Sequence, residues 1–234
     1  TTNTSHPFGC SPLIGWGGGS GPYDRMIVFP KNKFLFCGVP KAGITQWLQF
    51  LRFSMGAADY QSLPYFKKDT TPFYFDQLIP RTQIFMWNTY TKAILIRDPA
   101  ERLLSAYLDK VANKTGKNSP FGPNVTFTEF VDILSTPNIT KGPNHRINPG
   151  LTFFSDPHWR PQAWSCGLSE HIQNFDYIGS LDNAAYHTQA LLESVGLWET
   201  HGRHYRVSKP GRKRGNLAMR YPPPPLLPNE TAVG

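Results

Sequence analysis

The sequence predicts an α/β protein, a P-loop-like three-layer fold in which a central, mainly parallel sheet is flanked by helices. Three observations predict it. Short apolar runs alternate three times with stretches of helical period, the pattern of repeated strand–helix units. The first such unit joins strand to helix through a glycine-containing turn spaced like a phosphate loop. Aromatic residues make up 14% of the 234 residues and charged residues 17%, which supports a buried core and excludes wholesale disorder. The length fits one domain with a tail.

Taken in order, residues 1–32 are rich in Gly, Pro, Ser and Thr and read as an N-terminal arm. Lys33 to Val39 reads as a buried strand ended by Pro40. Ile44 to Met55 reads as a helix, with Ile44, Trp47, Leu48, Leu51 and Met55 on one face. Residues 59–91 read as irregular, broken by Pro64, Pro72 and Pro80. Ala93 to Ile96 is a second short strand. Pro99 then suits the first turn of a helix that continues through Leu103, Leu104, Tyr107, Leu108 and Val111. Thr126 with Glu129 forms a capping-box pattern for a helix running to Leu134. Residues 135–165 read as a long functional loop. Phe175 to Ser180 is the third strand and Asp182 to Val195 the helix after it. Together these place the domain at 33–200, followed by a basic, Pro-rich tail at 201–234.

Charge and cysteine usage bound the partners and the compartment. A formal net charge of +8 favours an anionic partner. No zinc-type Cys/His spacing occurs, so no metal is expected. No nucleic-acid module is recognisable, so no nucleic-acid partner is expected. Three cysteines are too few for a disulfide scaffold. Cys37, inside an apolar run, reads as a buried thiol, leaving Cys10 and Cys166 as the other pairing. Five of the 13 asparagines, Asn3, Asn113, Asn124, Asn138 and Asn229, head Asn-x-Ser/Thr triplets, which points to the secretory pathway. No run is long and apolar enough to span a bilayer. The chain starts at Thr1 rather than Met, which leaves room for a membrane anchor upstream.

The chemistry concentrates in two segments. Gly38-Val39-Pro40-Lys41-Ala42-Gly43-Ile44-Thr45 lies between the first strand and the first helix. A loop feeding a helix N-terminus favours an anion through its amides and the helix dipole. In an ATP- or GTP-binding loop a lysine follows the second glycine. Here Ile44 stands there and the lysine is Lys41. Arg97 ends the second strand, and Ser105 lies two turns into the next helix. In an open α/β sheet, both segments reach the crevice at the strands' carboxyl ends. That gives two anion sites, suited to a nucleotide with phosphates at both ends.

Pro40-Lys41-Ala42-Gly43-Ile44-Thr45-Gln46-Trp47 resembles the 5′-phosphosulfate loop of sulfotransferases. Arg97 to Tyr107 resembles their 3′-phosphate motif. Asp156 to Pro161, then Cys166, then Phe175 to Gly179 is similar to the Golgi carbohydrate sulfotransferases of the chondroitin/dermatan/HNK-1 group. The resemblance covers about residues 33 to 196 and implies 3′-phosphoadenosine 5′-phosphosulfate (PAPS) as donor. It implies a hydroxyl of a glycan, glycoprotein or proteoglycan as acceptor, and a Golgi-lumen location. Lys41, Gly43, Thr45 and Gln46, with the loop residues Pro40, Ala42 and Ile44, would hold the 5′-phosphosulfate. Lys41 would also offset charge on the leaving oxygen. Arg97 and Ser105 would bind the 3′-phosphate.

Transfer to a hydroxyl calls for a general base, and His158 is the candidate. Either His158 and Trp159 serve the site, Trp159 lining a sugar or adenine pocket, or they pin their loop to the core. Glu101 and His145 are further candidate bases, though Glu101 also suits a first-turn helix charge. Arg97 could instead pair with Asp98 or Glu101. Arg102 reads as a solvated or structural arginine. The basic cluster Lys209, Arg212, Lys213 and Arg214 either contacts an anion or is solvated tail. The competing readings are a phosphate-loop kinase or NTPase and a secreted glycan-binding protein without transferase activity.

Overall fold

The computed structural model describes residues 26–61, 74–112, 121, 124–136 and 156–205. Strands β1 (Met26–Phe29), β2 (Phe34–Cys37), β3 (Thr91–Ile96) and β4 (Tyr177–Ser180) form one sheet in the order β1-β2-β3-β4. β1 is antiparallel to β2, while β2, β3 and β4 run parallel. The hairpin between β1 and β2 turns through Pro30–Asn32 and closes at Lys33 in the left-handed region. β1 lies inside the stretch read from composition as an arm. Its four residues are all buried, so the sheet begins before the expected boundary at residue 33.

The strands bury both faces. Ile27, Phe29, Phe34, Phe36, Ala93 and Leu95 face one core, while Met26, Val28, Leu35, Cys37 and Ile94 face the other. Period-two alternation with apolar residues on both sides is what a sheet between two helical layers requires. The first core is closed by α1 (Ile44–Ser54) and α6 (Ala184–Ser194), through Trp47, Leu48, Phe50, Leu51, Leu191 and Leu192. Trp47 stacks on Phe36 with ring centroids 3.9 Å apart. The second core takes residues from α2 (Pro80–Thr89) and α5 (Leu168–His171). α2 falls in the segment read as irregular. Pro80, taken as a breaker, sits in its first turn, where a proline's missing N–H costs nothing.

α3 (Pro99–Lys110) and α4 (Phe127–Ser135) build a third cluster around Ala106, Phe121, Phe130 and Ile133. Both helices start as their sequences predict. Asp98 caps α3 by accepting from the Glu101 amide at 2.9 Å. Thr126 and Glu129 close a capping box on α4. β4 sits tightly under α6 at Gly179. A Cβ there would lie 2.5 Å from Leu95 Cδ2 and 3.0 Å from His187 Cβ, so only glycine fits.

The cysteines pair differently from the sequence reading. Cys37, at the end of β2, is disulfide-bonded to Cys166, with Cα atoms 6.0 Å apart and 129 residues between them in sequence. Cys37 is therefore no free thiol, and Cys166 has no bond left for Cys10, which lies outside the described residues. An apolar neighbourhood does not separate a buried thiol from a buried disulfide, since both satisfy it. Among the described residues no helix is long and apolar enough to cross a membrane.

Candidate active site

The loop after β2 has an unusual backbone. Lys41 has φ 67° and Gly43 has φ 84°, two left-handed residues in three positions. For glycine this is free, whereas for a lysine it costs energy that the surroundings must offset, which is typical of binding loops. The turn is held by the Ala42 amide donating to Val39 O at 3.1 Å. α1 starts at Ile44, so its first-turn amides and positive dipole end meet the loop. Ala42 is buried in the second core and Ile44 packs against the first, so these two anchor the loop and offer a ligand only backbone.

Lys41 is half-buried. Its Nζ donates to Asp109 Oδ2 on α3 at 3.1 Å. Burial, with help from Lys110 and Arg97, pulls its pKa below that of an ordinary lysine, against the opposing pull of Asp109. Arg97 reaches the same loop from the end of β3. Its Nη1 donates to the Lys41 carbonyl at 3.3 Å, and its Nε and Nη2 both donate to Glu101 Oε2 at 3.3 Å. The pairing with Glu101 weighed from the sequence is thus present, alongside the contact with the loop. Asp98 is occupied by its capping role.

These pairs reveal which face of α3 meets the loop. Glu101, Ser105 and Asp109 are spaced four apart and form one stripe. Arg97 sits over its first member and Lys41 over its last. Half-buried Ser105 falls between these two members on the same stripe. Half-buried Gln46, by contrast, takes the Tyr205 hydroxyl on both its backbone and side-chain oxygens at 3.2 Å. That contact ties residue 205, expected in the tail, onto α1.

Residues 156–160 form a tight turn. Asp156 Oδ1 accepts from the His158 amide at 2.8 Å and lies 2.6 Å from His158 Nδ1. Burial pushes the Asp156 carboxyl up in pKa, but the bonds from His158 outweigh it and hold the group below its ordinary value. An ionised carboxylate only accepts, so Nδ1 carries the hydrogen in this contact. Trp159 is in the α3–α4 core, with Phe121 and Phe130 at 5.4 and 5.7 Å between centroids. Its ring pins the turn to that core.

Two supporting residues were not among the expected site residues, although Arg102 lies within the Arg97–Tyr107 segment. Gln162 clamps Arg97 at its backbone, accepting from its amide at 3.1 Å and donating to its carbonyl at 2.6 Å. Arg102 is buried rather than solvated, and its guanidinium donates to the carbonyls of Pro40, Pro157 and Arg160. Glu101, a candidate base, is engaged by Arg97 and does the work of a first-turn helix charge. His145 and the cluster at 209–214 lie outside the described residues. Among the described residues, no group of three or more metal-ligating side chains occurs.

Comparison with known proteins bears on this arrangement. Residues 24–219 match the model of the sulfotransferase family. Human carbohydrate sulfotransferase 9 is 27% identical over 199 residues, 74% of this chain and 41% of that protein. Rat carbohydrate sulfotransferase 10 is 31% identical over 140 residues, 49% of this chain and 39% of that protein. Mouse carbohydrate sulfotransferase 14 is 26% identical over 197 residues, 73% of this chain and 46% of that protein. The chain thus spans under half the length of these relatives. No solved structure gives a significant match.

Proposed function

Because the chain belongs to the sulfotransferase family, we propose that it moves a sulfuryl group from PAPS to a carbohydrate hydroxyl. The observation that carries this reading is that Lys41 and Arg97 meet at the Glu101–Asp109 stripe of α3, on which Ser105 also falls, beside a left-handed loop at a helix N-terminus. The residues fit a donor with anionic groups at both ends. The loop amides, Lys41 and Thr45 would hold the 5′-phosphosulfate. Arg97 and Ser105 would hold the 3′-phosphate, with Gln162 fixing the direction in which Arg97 leaves the sheet.

The donor, when bound, supplies an already activated sulfuryl group, and the protein's part is positioning and electrostatics. Lys41 offsets negative charge growing on the leaving phosphate. His158, its Nδ1 bound to Asp156, takes the acceptor proton at Nε2. No metal is needed for these roles. Ile44, packed on the core where a nucleotide-triphosphate loop carries its lysine, speaks against the kinase reading.

The relatives' names supply the acceptor class, carbohydrate. A Golgi-lumen location agrees with the disulfide, which persists in oxidising compartments. It agrees also with Asn124, the head of an Asn-x-Thr triplet, exposed in a turn before α4. Expression in a secreting cell should yield a form whose mass falls on glycosidase treatment, and Asn124→Gln should remove one step of that shift.

The deciding experiment is calorimetric titration with 3′,5′-adenosine bisphosphate, with ATP and Mg²⁺ as the comparison. Micromolar binding of the bisphosphate, lost in Arg97→Ala, is the expected result, followed by transfer of labelled sulfate from PAPS to a glycan panel. Preference for ATP and Mg²⁺ would overturn the assignment. Bisphosphate binding without transfer to any glycan would favour the glycan-binding alternative.

A further inference from the structure

The buried guanidinium of Arg102 lies between the two halves of the candidate site. Only 4% of the residue is exposed. Nε donates to Pro40 O at 2.9 Å, Nη2 to Pro157 O at 2.8 Å, and Nη1 to Arg160 O at 2.7 Å. The choice of carbonyls is informative. A peptide unit is planar, so holding one carbonyl oxygen also fixes the amide of the following residue. The carbonyl of Pro40 belongs to the unit that ends in the Lys41 nitrogen. The carbonyl of Pro157 belongs to the unit that ends in the His158 nitrogen, which donates to Asp156. One planar, forked side chain therefore grips the peptide leading into the candidate charge-stabilising lysine and the peptide leading into the candidate base. A third bond closes the turn behind His158.

We propose that Arg102 is a positioning residue that couples the loop at residues 40–46 to the turn at residues 156–160, so that an anion filling the loop also orders His158. The proposal rests on the donor reading given above. The chemistry requires arginine. A guanidinium offers donors in fixed, diverging directions, whereas a lysine is a point charge on a flexible stem and cannot hold three separated carbonyls. Burial pulls the Arg102 pKa down to about 10, which leaves it cationic at neutral pH. A cation held by carbonyl dipoles beside an anion-binding loop also gains when the anion arrives. Binding and the tightening of the bridge therefore favour each other.

Hydrogen–deuterium exchange with and without 3′,5′-adenosine bisphosphate tests the coupling without any turnover. In the wild-type chain the bisphosphate should slow exchange in the 40–46 loop and also at the amides of His158, Trp159 and Arg160, the latter by about tenfold. In Arg102→Lys, loop protection should persist at higher ligand concentration, and the effect on the turn should vanish. Protection confined to the loop in the wild-type chain would overturn the proposal, and that arm needs no variant to fold. Turn protection undiminished in Arg102→Lys would overturn it too. Absence of protection anywhere in the wild-type chain would instead sink the donor reading beneath it.

Discussion

At the scale of single residues, Lys41 sets the sharpest expectations. Its left-handed backbone, half-buried ammonium and bond to Asp109 hold one charge between the loop and α3. Lys41→Ala should lower kcat by roughly 10²–10³-fold, the usual loss for a charge-stabilising donor. Its thermal unfolding should stay near wild type, because the removed group carries a buried cost. The sign of the pH effect follows from the environment. Burial, Lys110 and Arg97 lower the Lys41 pKa, and Asp109 opposes them. The ammonium is thus lost at a lower pH than in a free lysine, and kcat/KM should fall on the alkaline side correspondingly early. Asp109→Asn removes the opposing charge, so the alkaline limb should move to still lower pH, whereas Lys41→Arg should abolish that limb. A profile for Asp109→Asn that overlays the wild type would show that Lys41 does not govern it. For stability the sign is the reverse. The unfolded chain holds this proton more tightly, so Lys41 contributes increasing stability as pH rises through its folded pKa.

At the scale of elements, the sequence was most legible where one local rule decided the outcome. The helical period in Ile44–Ser54, the proline opening α3 and the Thr126–Glu129 box were readable because each needs only neighbours within a turn or two. The box gives a direct test. Thr126→Ala should cost about 1 kcal/mol, seen as a lower unfolding midpoint in denaturant with an unchanged slope. β1 and α2 were not legible, for different reasons. β1 follows a Gly-rich stretch and has no alternation of polar and apolar residues, because both its faces are buried. α2 sits among prolines and draws its helicity from packing Met86 and Trp87 on the second core rather than from an apolar stripe of its own. Of the site, Lys41 and Arg97 were legible because loops at strand ends concentrate ligands. Gln162 was not, since a glutamine that binds a distant backbone has no local pattern, and Arg102, although inside the Arg97–Tyr107 segment, binds carbonyls that spacing alone does not identify. The buried turn at residues 156–160 shares that difficulty. Its histidine could be named from the sequence, but the place of Trp159 in the core became visible only with α3 and α4 packed around it.

At the scale of the whole molecule, the question is what keeps segments far apart in sequence registered at one site. The strand ends supply Lys41 and Arg97, and Arg97 stands 65 residues before Gln162 in the chain. Besides the Arg102 bridge, the covalent link is Cys37–Cys166, running from the last residue of β2 to the segment that carries Gln162. It closes a loop of 129 residues in sequence separation, and the chain-entropy argument assigns such a closure on the order of 5 kcal/mol of stability. The disulfide is buried, Cys37 at 0% and Cys166 at 7% exposure, so reductant should act on it only after local opening. The Cys37→Ser/Cys166→Ser double variant should therefore unfold at markedly lower denaturant concentration. It should also bind 3′,5′-adenosine bisphosphate more weakly at temperatures where it is still folded, because Gln162 loses the tether that holds it against Arg97. Chemical denaturation and calorimetry on the same preparation separate the two effects. A destabilised variant with undiminished affinity would mean that the disulfide serves the fold alone, and that the Gln162 clamp and the Arg102 bridge suffice to hold the site together.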